Sequence, residues 1–237
     1  MKKLAIFAEG GTEQAFAEKL LLAVGGERRI QIRKQRFRGG RRGGPRTRSA
    51  STWVGIPHGS ADAKYYAQII DCGQDERVKG DLIENYKSLT QHGFDAVIGI
   101  QDVIPKTHAE LHLVKLHLRD RLPTKPINPV MVLAIMETEA WFLAEHTHFP
   151  RVHPGLTPTT VSKAAGFDPI KDDMEARVRP AEDLHRIYQA VGCVYEKKPQ
   201  CIQRTVDALD YESVYLELGD RVPAIRPLIE AIDAFLS

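Results

Sequence analysis

The sequence predicts an α/β protein: a mainly parallel sheet covered by helices, with a helical extension at the C-terminal end. Short apolar runs bounded by glycines or polar turns alternate with amphipathic stretches, as strand and helix do in such folds. The last third of the chain then changes to helical patterns only. Three of the apolar runs end on carboxylates, at Glu9, at Asp102 and at Glu137 with Glu139. Open α/β sheets take their ligands at the carboxyl ends of strands.

The first run, Lys2 to Ala8, is too short for a buried helix and reads as a strand. Gly10 and Gly11 permit a tight turn, and Thr12 is a good N-cap for a helix from about Glu13 to Val24. Phe16, Leu20 and Ala23 share one face of that helix, which Gly25 and Gly26 end. Glu9 falls at the strand tip. Glu13, inside the first turn, either shares a site with Glu9 or only offsets the helix dipole. Neither GxGxxG nor GxxxxGK[ST] is present, and a carboxylate at this tip repels phosphate unless a cation lies between them.

From Arg28 to Arg48 there are ten basic residues and no acid, so the rest of a chain of net charge +2 is formally −8. Ile30 to Phe37 reads as a strand. Arg38 to Arg46 is too rich in glycine to be regular structure, and Pro45 adds to that. A basic segment of this kind suits a polyanion, and arginine favours bidentate phosphate contact. Arg33, Arg36, Arg38, Arg41, Arg42, Arg46 and Arg48 are the candidate nucleic-acid contacts, with Phe37 and Trp53 placed to stack on bases. A solvated loop or an acidic protein partner remains the alternative.

Tyr65 to Asp71 reads as a strand, followed by a helix from Asp75 to Gln91 with Val78, Leu82, Tyr86 and Leu89 on one face. Phe94 to Ile100 is the most strand-like run in the chain and delivers Asp102. Two carboxylates at one sheet edge, Glu9 and Asp102, form a hard-oxygen metal site. A helix is expected over Lys106 to Arg121. Its His108 and His112 are spaced i, i+4 but fit no HExxH pattern, and are read as a solvated face. Pro129 to Met136 is a further strand, delivering Glu137-Thr138-Glu139. Trp141 and Phe142, just beyond, are read as core. His146, His148 and His153 cluster with prolines but match no zinc spacing, and are read as solvated loop. Helices are expected over 181–191, 199–209 and 223–236. The last carries an apolar stripe of Ile225, Leu228, Ile229, Ile232 and Phe235 that either packs on the sheet or forms an interface, which leaves a homo-oligomer open.

Hydrophobic residues make up 43% and charged residues 27%, the balance expected of a soluble globular protein. No apolar run approaches the ~20 residues of a membrane span, and Glu9 interrupts any signal-peptide core. Three cysteines without CxxC spacing argue against a disulfide framework, so a cytoplasmic protein is expected.

Phe7-Ala8-Glu9-Gly10-Gly11-Thr12-Glu13 resembles the opening motif of Toprim-like domains, found in topoisomerases, primases and OLD-type nucleases. The nearest likeness is to a Toprim-like family of small bacterial proteins often linked to phage defence, and it covers residues 3–145 best. The resemblance implies a Toprim-like (Rossmann-like) fold in which Asp102 to Pro105 stands where many members carry Asp-x-Asp. Here Asp102-Val103-Ile104 lacks the second acid, which bears on the number of metals. The domains are then 1–149, a Toprim-like metal-binding domain with a basic Arg/Gly-rich loop at 28–52, and 150–237, a helical extension. The expected activity is a metal-dependent nuclease. Glu9 and Asp102 hold Mg²⁺ or Mn²⁺. Glu13, Glu137 and Glu139 assist as ligands or base, and Lys106 stabilises phosphate charge. The resemblance also implies an ATPase partner, of ABC or AAA type, and a role in antiviral defence. Two alternatives stand beside it: a non-catalytic Toprim-like subunit that binds nucleic acid or the ATPase, and an enzyme acting on small nucleotides.

Overall fold

The computed structural model describes residues 1–38, 50–60, 62–73 and 77–237. In chain order the main elements are β1 (Lys2–Ala8), α1 (Gly11–Gly25), β2 (Ile30–Arg38), β3 (Ala50–His58), β4 (Tyr65–Asp71), α2 (Val78–Gln91), β5 (Ala96–Asp102), α3 (Leu111–Arg119), β6 (Val130–Ala134) and α4 (Glu139–Ala144). Then follow α5 (Phe149–Val152), α6 (Pro158–Ala165), α7 (Pro180–Gln189), α8 (Pro199–Ala208), α9 (Tyr211–Leu216), α10 (Leu218–Arg221) and α11 (Arg226–Leu236). Among the described residues no helix is long and apolar enough to cross a membrane. The chain forms two compact units. One holds residues 1–101, 118–131 and 230–237; the other holds 102–117 and 132–229.

The strand order of the sheet is β3-β2-β4-β1-β5-β6. In the first unit β1 runs parallel to β4 and β5, with Ile6 opposite Ile69 on one side and Ile98 on the other. Leu4 to Ala8 have no exposed surface. A parallel strand covered on both faces needs this unbroken apolar run rather than an alternating one. From β1 the chain crosses to β2, and from β4 it crosses back past β1 to β5. The order reverses at β1, the position where open sheets accept ligands.

α1 starts two residues earlier than the sequence suggests. Gly10 is its N-cap, and the Glu13 carboxylate reaches back to accept the Gly10 N–H at 2.9 Å. Thr12 is therefore buried inside the first turn rather than capping it. Phe16, Leu20 and Leu21 bury the apolar side of the helix. Gln14 also turns inward, and its side-chain amide donates to the backbone carbonyls of Gln35 and Ile69 at 3.0 and 2.9 Å. The end of α11 belongs to the same unit. Phe235 meets Tyr65 edge-on, and the Tyr65 hydroxyl donates to the Leu236 carbonyl at 2.5 Å.

Ile30 to Phe37 forms the strand expected of it, β2, and the stretch 28–52 also holds the start of β3, antiparallel to β2. β3 is an edge strand whose Gly55 and Pro57 disguise it in the sequence. Proline is tolerated at a sheet edge because it removes a donor the ladder does not use. After β3, Gly59 has φ +97°, and a Cβ there falls 2.2 Å from the Ile30 carbonyl oxygen and 2.8 Å from Gln31 Cα. Both obstacles are backbone. Gly59→Ala is expected to cost about 2–4 kcal/mol, from strain plus overpacking, read as a lower urea midpoint. An unchanged midpoint contradicts the close approach of these two segments.

The second unit packs its helices around Trp141, Phe142, Leu156, Ile187 and Tyr188, all fully buried. Trp141 and Phe142 are core, as their sequence context suggests. His148 is not in a solvated loop; it has no exposed surface. Its Nδ1 donates to the Glu145 carbonyl at 2.6 Å, and its Nε2 accepts from the Tyr188 hydroxyl at 3.1 Å. Burial pushes its pKa down to about 4. The unfolded chain accepts a proton near the usual value of 6.5 that the folded protein refuses. Stability from this group is whole above that pH and is lost as pH falls toward 4, about 3 kcal/mol in all. Glu145, raised by burial, acts in the opposite direction above the ordinary carboxylate range. His148→Gln is therefore expected to flatten the acid limb of the stability profile relative to the parent. Parallel limbs for the two proteins show that His148 titrates normally.

Candidate functional site

In the second unit three carboxylates converge on one cation. Asp102 closes β5, Glu137 follows β6, and Glu139 opens α4. The backbone ties these tips together. Val103 N–H reaches the carbonyls of Ala134 and Met136, and Ile104 N–H also reaches Met136, each at 3.1 Å. Met136 itself has φ +61°, a left-handed conformation that a non-glycine residue holds only where its surroundings impose it. That turn redirects the chain just before Glu137.

Each carboxylate is held by one oxygen and offers the other to the same ammonium. Asp102 Oδ1 accepts from Thr138 N–H and from Thr138 Oγ1, both at 3.0 Å, and Oδ2 stands 3.9 Å from Lys197 Nζ. Glu137 Oε2 accepts the Ala181 N–H at 2.9 Å, while Oε1 is 3.3 Å from Lys197 Nζ. Glu139 Oε1 accepts from the Tyr195 hydroxyl at 2.6 Å, and Oε2 is 3.6 Å from Lys197 Nζ. The three acids are buried, Glu139 completely, whereas the Lys197 side chain is 48% exposed. Three carboxylates thus each present one oxygen to the Lys197 ammonium. Like charges in a poorly solvated site repel, and the ammonium and the hydrogen-bond donors on the other oxygens offset that repulsion.

Asp102, Glu137 and Glu139 are thus brought together. Glu9 and Glu13 stand in the first unit. Glu9 is half-buried, directly after β1. Glu13 is buried and serves the cap of α1 through Gly10. Lys106 is exposed, its N–H donating to the Val103 carbonyl. Lys197 stands at the carboxylates. His108 and His112 are exposed, and His108 Nε2 donates to the Glu175 carbonyl at 2.7 Å. Arg36 pairs with Asp71 at 2.6 Å, and Arg33 lies over the Trp53 ring at 5.4 Å. Arg41, Arg42, Arg46 and Arg48 lie outside the described residues, and for Arg38 only the backbone is described.

Among the described residues no group of three or more His, Cys, Asp or Glu is disposed to hold a metal ion. The acidic cluster is disposed around an ammonium instead. The oxygens that face it are all carboxylate oxygens, one from each acid. Thr138, Tyr195 and Lys197 are absent from the sequence expectations. Thr138 lies between two candidate acids, which is a usable signal. Tyr195 and Lys197 follow α7 in a turn with no pattern of their own. The chain matches no protein-family model, no curated protein and no solved structure.

Proposed function

We propose that the chain is a divalent-metal-dependent nuclease, hydrolysing phosphodiester bonds at the Asp102–Glu137–Glu139 cluster. The observation that carries this reading is the shared aim of three buried carboxylates, each pinned at one oxygen and presenting the other to a single cationic position. Pinning fixes the oxygens in advance, as a site that binds and polarises a phosphate requires. A divalent ion bound there supplies Lewis-acid polarisation of the phosphodiester and lowers the pKa of an attacking water. Thr138 and Tyr195 orient Asp102 and Glu139 by hydrogen bonds. Lys197, half-exposed and adjacent, offers its ammonium to the charge that develops on the phosphoryl oxygens. The Toprim-like resemblance adds an ATPase partner and a role in phage defence to the proposal, and these rest on the resemblance alone.

One observation favours a second reading. Lys197 already compensates part of the cluster, which suits a Toprim-like subunit that binds nucleic acid or a partner without cutting. The test is cleavage of plasmid, single-stranded DNA and RNA in Mg²⁺, in Mn²⁺ and in EDTA. Cleavage that requires the metal supports the nuclease. Binding without cleavage in every metal gives the second reading its place.

A further inference from the structure

The first unit carries a separate concavity that the acidic cluster does not use. It is an open groove of about 690 Å³ between one face of β2, β3 and β4 and the side of α2. That volume falls within the range of small-molecule sites, roughly 300–1,000 Å³. On the sheet face stand Arg33 and Gln35 of β2, Trp53 of β3, and Tyr66 and Gln68 of β4. Trp53 is 55% exposed, an unusual surface for the largest side chain, and Arg33 lies over its ring. The Gln68 amide donates to Gln35 Oε1 at 2.5 Å. The pair retains both N–H donors of Gln35 Nε2 and the Gln68 Oε1 acceptor. On the opposite wall Glu84 and Asn85 add acceptors.

We propose that this groove binds a nucleobase presented on a single strand of nucleic acid. A base has a flat face for the Trp53 ring and an edge of mixed donors and acceptors for the glutamine pair, and stacking on an exposed aromatic tolerates any base. Glu84 faces amino groups on the base and turns phosphate away from that wall. The phosphate is left to Arg33 on the sheet side. A duplex keeps its bases stacked on one another and offers no free face to Trp53. The inference deepens the nuclease reading by naming the form of its substrate, and it rests on that reading only for the purpose of binding.

The test uses the full chain in EDTA, so that binding is measured without cleavage. Trp53 is one of two tryptophans, and the other, Trp141, is fully buried. Short oligo(dA) and oligo(dT) are expected to quench tryptophan emission to saturation. Trp53→Ala is expected to abolish the quenching, and Trp53→Ala and Gln68→Ala each to weaken binding, followed by fluorescence anisotropy, about tenfold. The far-UV spectrum checks that both variants remain folded. The proposal is overturned by oligonucleotide binding without quenching, or by unchanged affinity in both variants. Equal affinity for a duplex or for free AMP overturns it too. A failure of metal-dependent cleavage leaves these outcomes untouched, so the two readings fail separately.

Discussion

Asp102→Asn and Glu139→Gln are each expected to lower metal-dependent cleavage by about a thousandfold, which is about 4 kcal/mol of transition-state stabilisation. Both substitutions keep size and shape. An asparagine in place of Asp102 retains an oxygen to accept from Thr138, so the turn after β6 is preserved. What changes is charge. Each variant removes one of three carboxylates from the buried cluster proposed to hold a divalent cation. Glu137→Gln is expected to be milder, because Glu137 is the least buried of the three. Activity within a few-fold of the parent in Asp102→Asn and Glu139→Gln, with the fold intact by circular dichroism, contradicts the assignment of this cluster as the site.

Lys197→Met has the second large effect, and its sign depends on metal. Without metal the variant leaves three carboxylates facing one another. Stripping a buried ion pair of one partner costs about 3–5 kcal/mol. Lys197 is half-exposed, so solvent screening reduces the expected loss to about 1–3 kcal/mol. With metal in excess the variant gains more than the parent, because a ligand that binds only the folded state stabilises it by mass action and no ammonium competes for the same oxygens. The unfolding temperature of Lys197→Met is therefore expected to fall in EDTA and to recover in Mn²⁺. A variant that melts like the parent in both conditions shows that Lys197 does not balance this charge.

The same residues show what the sequence discloses. β1 and β5 are legible because central parallel strands need unbroken apolar runs, β6 because Val130 to Ala134 is wholly apolar, and the acids at their ends follow directly. Asp102, Glu137 and Glu139 emerge from the strand pattern alone. β3 is hidden, because an edge strand tolerates Gly55 and Pro57, which interrupt its pattern. Lys197 and Tyr195 are hidden for a different reason. They reach the carboxylates across 60 and 56 residues of chain, from a turn with no periodicity, and only packing brings them there. His148 reads as loop because Pro150 and Pro154 flank its segment. Its burial depends on Tyr188, forty residues further on. Local pattern identifies which groups stand at strand tips, whereas countercharge and orientation come from contacts distant in sequence.

The most direct test of the central claim is calorimetric titration of Mn²⁺ into the parent chain and into Asp102→Asn and Glu139→Gln, without nucleic acid. The acidic cluster predicts saturable binding in the parent that is lost or strongly weakened in both variants. Absent binding in the parent, or equal binding in all three proteins, contradicts it.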